Sequence, residues 1–263
     1  MTDTDKLLAE KDGAIGRLTF NNPARRNACS YAMWDGIAPI LDDFEADPDI
    51  RVIVLRGAGD KAFCAGADIS EFETERSTPE QVEIYDGAGD RASARILSVS
   101  KPTVAIIRGF CVGGGMGLAL ECDLRISSDT GRFGVPAAKL GIGYGHEGVA
   151  RLVDVVGPSF AKEIFYTARL FSAEEALAMG LINRLVPDGE LEDYLLDYCA
   201  TMAANAPLSL SCIKTTVSEL TRIDGEPDFA LCERLVTECF SSDDYVEGRR
   251  AFMEKRRPAF RGR

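Results

Sequence analysis

The chain has 263 residues, 46% of them apolar, and carries a formal net charge of −12 with eight cysteines and a single histidine. That length supports one large core and a helical appendage without covalent staples, and no apolar run is long enough to span a bilayer, so no membrane partner is expected. The acidic balance argues against nucleic acid as the main partner, and the opening MTDTDKLLAEKDG lacks the apolar stretch of a secretory signal, which makes a cytoplasmic protein the expectation. The cysteines form no C-x-x-C and sit mostly in apolar surroundings, the pattern of buried, reduced thiols. With one histidine, a Cys/His zinc site is not expected, and no metal is assigned.

In chain order, residues 14–20 read as a strand closed by the turn chemistry of Asn21-Asn22-Pro23. Ser30 stands where it would cap a helix whose Met33, Trp34, Ile37, Ile40, Leu41 and Phe44 recur at helical spacing. The run Val52-Ile53-Val54-Leu55, ending at Gly57-Ala58-Gly59, reads as a buried parallel strand, and a glycine-containing turn follows over 61–69. Residues 78–98 read as a helix, and Lys101-Pro102 leads into the β-branched run 103–107. There the chain passes through Gly109-Phe110-Cys111-Val112 into three glycines, Gly113, Gly114 and Gly115, before a small-residue segment of helical character. A strand entering a glycine turn at a helix start presents backbone N–H groups to an oxygen anion. A P-loop is excluded, since no Lys-Ser or Lys-Thr follows the glycines. The dinucleotide fingerprint fails because Leu118 stands where its third small residue belongs. An anion hole that is not a phosphate cradle remains.

A further strand at 124–127 precedes Arg132-Phe133-Gly134-Val135-Pro136, and the alternation of strands and helices to this point indicates an α/β layer architecture. Helices are expected over 149–156, 160–167 and 173–179, a short strand over 181–186, and helices over 191–204, 208–222, 229–240 and 245–256. The last fifteen residues gather Arg249, Arg250, Lys255, Arg256, Arg257, Arg261 and Arg263, which reads as a solvated helix face or as a holder of a phosphorylated ligand. RNA binding through this end fits the acidic bulk poorly.

The two glycine turns, Ala62-Phe63-Cys64-Ala65-Gly66-Ala67-Asp68-Ile69 and Gly109-Phe110-Cys111-Val112-Gly113-Gly114-Gly115, resemble the paired signatures of the crotonase family, the enoyl-CoA hydratase/isomerase superfamily. The resemblance runs almost end to end, through Asn22-Pro23 with Asn27-Ala28, Phe171-Ser172-Ala173-Glu174-Glu175-Ala176 leading to Gly180-Leu181-Ile182-Asn183, and the terminal Phe252-Met253-Glu254-Lys255-Arg256. It implies an α/β fold of repeated ββα turns in a spiral, here over residues 1–200 with the CoA site, and a helical oligomerisation region over 201–263 that builds trimers, commonly paired into hexamers. By matching residue to residue, the backbone N–H groups of Ala67 and Gly114 would form an oxyanion hole for a thioester. Arg26, Ala28, Ala65, Asp68 and Ile69 would border the adenine and pantetheine of CoA, with Phe252 and Lys255 contributed by a neighbouring subunit. The implied substrate is an acyl-CoA, with coenzyme A as part of the thioester and no permanently bound cofactor.

The chain departs from the family pattern where its hydratases place two catalytic glutamates: Gly117 and Ala137 occupy those positions. Alkene hydration needs an acid and a base at neighbouring carbons, and neither glycine nor alanine carries a proton. Standard two-glutamate hydration is therefore not expected. The stretch Leu140-Gly141-Ile142-Gly143-Tyr144-Gly145-His146-Glu147-Gly148 offers Tyr144, His146 and Glu147 as replacement acid/base groups, in what reads as a loop. Tyr144 also resembles the tyrosine of methylmalonyl-CoA decarboxylase-like members, although those have histidine where this chain has Ala67. Glu71 and Glu121 lie near the motifs too, and Glu121, just before Cys122-Asp123, reads as structural. The readings left open are a lyase or isomerase working on acyl-CoA, a decarboxylase-like enzyme using Tyr144, and a catalytically silent acyl-CoA-binding homologue.

Overall fold

The computed structural model describes residues 4–222 and 225–263. Among these described residues ten strands are distributed between two sheets: β1 (Leu7–Asp12), β2 (Ile15–Phe20), β3 (Val52–Gly57), β4 (Ala62–Cys64), β5 (Thr103–Ile107), β6 (Phe110–Val112), β7 (Leu124–Ser128), β8 (Arg132–Gly134), β9 (Phe171–Ser172) and β10 (Arg184–Val186). The larger sheet has the order β1-β2-β3-β5-β7-β10 and the smaller β4-β6-β8-β9. Only β1 and β9 run antiparallel to their neighbours.

The helices between them are α1 (Tyr31–Ala46), α2 (Phe72–Glu75), α3 (Pro79–Ser98), α4 (Gly114–Glu121), α5 (Ala137–Leu140), α6 (His146–Thr167), α7 (Ala173–Ala178), α8 (Leu191–Ala203), α9 (Pro207–Leu220), α10 (Phe229–Ser241) and α11 (Asp243–Glu254). Read in order, the chain repeats one move. It lays a strand in the larger sheet (β3, β5, β7), then a strand in the smaller one (β4, β6, β8), then returns through helix. This is the repeated ββα path that the family resemblance implied.

The central strands are buried on both faces, which is why they read as unbroken apolar runs. Side chains alternate: Ile53, Leu55, Ala105 and Ile107 join the main core with α1, α3 and α4, while Val52, Val54, Val104 and Ile106 pack on Leu191, Leu195 and Cys199 of α8. Ser30 caps α1 as expected, accepting from the Met33 N–H at 3.3 Å. The eight cysteines are free thiols. Cys29 and Cys64 lie with sulfurs 3.6 Å apart, and burial, aided by Cys64, pushes the Cys29 thiol well above its usual value, so it serves as packing.

Two expected elements change. Residues 149–156 and 160–167 are halves of one helix, α6, bent where Gly157 takes φ 76° before Pro158. That helix begins at His146 with Gly145 as its cap, so His146 and Glu147 are its first residues and do not belong to a loop. An acidic residue in a first helical turn is favoured by the positive end of the helix dipole. Among the described residues no helix is long and apolar enough to cross a membrane.

The last helices are less enclosed. α10 buries none of its side chains, and Phe240, Val246, Phe252 and Met253 are exposed. The chain end is nevertheless tied down: buried Asp244 accepts the N–H groups of Arg261 and Gly262 at 2.7 and 2.8 Å. Part of the basic cluster is neutralised internally, with Arg256 on Glu247 and Glu254, and Arg263 on Asp243.

Candidate active site

Parallel pairing of β4 with β6, with Cys64 opposite Cys111, sets the two glycine turns side by side. The approach is too close for side chains. A Cβ on Gly115 would lie 2.1 Å from the Cys64 carbonyl oxygen, and one on Gly66, whose φ is +94°, would lie 3.1 Å from the Gly114 nitrogen. The chain after β4 is also bridged to the segment before α1: Cys29 donates to the Gly66 carbonyl and Asp68 to the Cys29 carbonyl, both at 2.8 Å. These bonds leave the intervening Ala67 N–H outside the ladder. Gly114 is the first residue of α4, where an N–H has no partner inside its own helix. Gly113, with φ 57°, is anchored through its N–H to the Gly134 carbonyl at 2.9 Å. Two rigid donors with no carbonyl partner among the described residues therefore stand on adjoining turns, beside the Trp34 ring that lies 3.6 Å from a Cβ position on Gly114. Fixed N–H donors of this kind stabilise a developing oxyanion, each worth roughly 3 kcal/mol.

The residues expected to border CoA divide into two groups. Arg26 and Ala28 before α1, and Ala65, Asp68 and Ile69 after β4, are brought together; Ala65 donates to the Arg26 carbonyl at 3.1 Å. The Arg26 guanidinium lies 4.4 Å from the centre of the Phe110 ring, and Ile69 is 73% exposed beside it in sequence to the buried Asp68. The Asp68 side chain is committed locally. It accepts from the Ser70 hydroxyl at 2.7 Å and lies 3.6 Å from Arg25. Burial works against its charge, but the Ser70 bonds, Arg25 and Asn22 prevail and hold the carboxyl below its ordinary value. Glu71 is occupied as well, accepting the Tyr31 N–H at the start of α1. Phe252, 83% exposed, and Lys255 lie on and just after α11, and among the described residues no hydrogen bond links them to the 65–69 loop.

Gly117 and Ala137, expected at the family's acid positions, carry no ionisable side chain. A Cβ on Gly117 would meet no atom within 4 Å, so open space stands where a side chain would project. Tyr144 packs its ring on Phe165, with centroids 5.0 Å apart, and with His146, Val149, Val153 and Arg222 it lines a cavity of about 850 Å³. Though 37% of Tyr144 is exposed, the crowding around its phenol raises the pKa, and the neighbouring Glu121 carboxylate adds to the rise. His146 and Glu147 are exposed.

Glu121, the last residue of α4, has a setting the sequence reading missed. Its Oε1 accepts the Ser93 hydroxyl from α3 at 2.6 Å, while its Oε2 is shut away from solvent with no hydrogen-bond partner among the described residues. Burial pushes its pKa up to about 7, against the opposing pull of the Ser93 bond and of Arg151 on α6. Beyond it, buried Arg125 on β7 donates to the carbonyls of Ala119 and Cys122 at the end of α4 and to that of Leu181 at 2.8 Å.

Comparisons with known proteins agree over the whole length. The family model described as enoyl-CoA hydratase/isomerase matches residues 10–263. The short-chain-enoyl-CoA hydratase of Clostridium acetobutylicum is 33% identical over 255 residues, covering 97% of each chain. The carnitinyl-CoA dehydratase of Escherichia coli O157:H7 is 31% identical over 264 residues, or 99% of this chain and 100% of that one. A crystal structure from Magnetospirillum magneticum, described as an enoyl-CoA hydratase/carnithine racemase, superposes with a TM-score of 0.93 at 37% identity, covering 99% of this chain and 97% of the other.

Proposed function

The chain belongs to the enoyl-CoA hydratase/isomerase family, and on that footing we propose that it binds an acyl-CoA and holds the thioester oxygen between the N–H groups of Ala67 and Gly114. The observation that carries this reading is the pair of adjoining glycine turns, whose two N–H groups serve no carbonyl among the described residues. An acyl thioester that loses a proton or a carboxylate at its α-carbon becomes an enolate-like oxyanion, the charge such donors stabilise. Arg26, Ala28, Ala65, Asp68 and Ile69 border the nucleotide and pantetheine, with the Asp68 contribution coming from its backbone because its side chain is engaged by Ser70 and Arg25. Phe252 and Lys255 reach the CoA of a neighbouring subunit in a trimer or a pair of trimers. The exposed apolar side chains of α10 and α11 support that assembly.

The reaction is a lyase or isomerase step other than two-glutamate hydration, since Gly117 and Ala137 carry no proton. Acid/base work falls to the neighbourhood of Tyr144, with His146 and Glu147 next to it at the start of α6. The same absence of glutamates favours a second reading, a silent acyl-CoA-binding homologue, and Tyr144 leaves room for a decarboxylase-like reaction. Incubation with enoyl-, 3-hydroxyacyl- and malonyl-type CoA thioesters, with mass detection of products, separates them. New product from an enoyl or hydroxyacyl thioester supports the lyase or isomerase reading, loss of CO₂ from a malonyl type the decarboxylase, and binding with no product from any thioester the silent homologue.

A further inference from the structure

Gly114, Gly117 and Glu121 lie within about 60° of one another around α4, because positions three and seven residues apart share a stripe on a helix. Gly114 carries one of the two free N–H groups, Gly117 contributes only open space, and Glu121 closes the stripe with a carboxyl oxygen that is shielded and unpartnered. We propose that Glu121 is the proton carrier of the acyl site, its Oε2 facing the substrate chain across the gap left by Gly117. The proposal rests on the reading that Ala67 and Gly114 hold a thioester.

Three elements set this carboxyl up. Ser93 on α3 fixes Oε1 at 2.6 Å and so leaves Oε2 as the free oxygen. Tyr144, ahead of α6, and Arg151 within it are the charged or titratable groups that act on it from the other side. A carboxyl that changes protonation near neutral pH is suited both to take and to return a proton; burial gives Glu121 a pKa of about 7. A structural carboxylate at a helix end would be expected to pair both oxygens or face water, and Oε2 does neither.

Position along the helix decides which carbon it serves. An acid at 117 would stand one turn nearer the oxyanion donors and address the carbons beside the carbonyl. Glu121 stands four residues further on, about 6 Å along the axis, and so addresses the chain beyond them. With a 2-enoyl thioester, the Glu121 carboxylate takes a proton from C4. The C4–H electron pair becomes the C3–C4 π bond, the C2–C3 pair moves to C1–C2, and the carbonyl pair moves onto oxygen, where the Ala67 and Gly114 N–H groups receive it. Return of the same proton to C4 restores the substrate, and delivery to C2 gives the 3-enoyl isomer. No other reactant is consumed.

The test follows deuterium uptake from D₂O at C4 of crotonyl-CoA by the full-length protein, with mass and NMR detection. The unaltered protein is expected to exchange at C4 with a pH inflection near 7. Glu121→Gln, which keeps the shape and the Ser93 contact, is expected to lower the rate by about 10² or more, to lose the inflection and to leave KM within about threefold. Exchange by Glu121→Gln at the parent rate, or with the inflection intact, overturns the proposal while leaving the thioester reading standing. The same holds if the unaltered protein turns over thioesters but exchanges nothing at C4. Absence of turnover and exchange with every thioester overturns the proposal, and absence of acyl-CoA binding as well overturns the thioester reading with it. If Glu121→Gln does not fold, the pH profile of the unaltered protein decides, and a profile flat between pH 6 and 8 sinks the idea.

Discussion

The two ends of α4, a helix of eight residues, are built on opposite principles. At the N-terminal end everything that matters is backbone: Gly113 to Gly115 are locked against Cys64, Gly66 and Gly134, and no side chain is needed to present an N–H group. At the C-terminal end the backbone is silenced by Arg125, and what faces the neighbouring helices is a side chain, Glu121, among Ser93, Tyr144 and Arg151. On the proposed reading, the difference separates a part that every thioester reaction of this kind requires from a part that can change with the reaction. Substitutions at the first end should abolish chemistry without regard to substrate, whereas those at the second should alter which chemistry occurs.

The largest expected effect is at Gly115. Placing alanine there drives a Cβ into the Cys64 carbonyl, and the loss of stability should reach about 3 kcal/mol or more, read from urea or thermal unfolding, with activity lost alongside. Gly114→Pro comes next. Proline is tolerated at the first position of a helix, so the protein should fold, but one N–H of the proposed oxyanion hole disappears and turnover of any accepted thioester should fall by about 10² to 10³. A fully active Gly114→Pro protein would remove the oxyanion role from α4.

A gain of function probes the other end. Replacing Gly117 and Ala137 together with glutamate fills the empty acid positions, and space for the first is open. Crotonyl-CoA hydration, followed by loss of the enoyl absorbance, should rise by about 10² over the parent. Tyr144→Phe should lower turnover by roughly tenfold, and His146→Ala and Glu147→Gln, at exposed positions, by less.

Stability against pH gives a smaller but independent signal. The folded-state pKa of Glu121, about 7, lies above the ordinary carboxylate value of 4.5, so the folded chain holds its proton more tightly than the unfolded one. Its contribution is fully present below about pH 4.5 and is lost as pH rises through about 7. Relative to the parent, Glu121→Gln should therefore gain stability across that window, by about 1–3 kcal/mol in all, and no more above it. Paired melting curves at steps of pH would show whether the gap between the two proteins widens in this way.

The contrast between the ends of α4 also explains what could be read in advance. A backbone device leaves a compositional trace, and the glycines at 66 and 113–115 are visible as a turn pair in the sequence alone, as are the doubly buried strands and the Ser30 cap. A side-chain device leaves none. Ser93 precedes Glu121 by 28 residues, and nothing in either neighbourhood announces that α3 and α6 will enclose that carboxyl. Short or one-sided strands were missed for a similar reason. β1 buries only Leu7 and is otherwise exposed, so it shows no alternation, and β4, β6, β8 and β9 have two or three residues each, too few for a period to appear.

Arg125 carries a consequence for how the protein is made. Its guanidinium clamps the carbonyls that end α4 and is itself seated on the Leu181 carbonyl, 56 residues later in the chain. On the ribosome, both glycine turns emerge well before the segment that finishes the clamp. Chains released early, with residue 181 missing, would carry both glycine turns and yet lack the carbonyl on which the Arg125 clamp is seated.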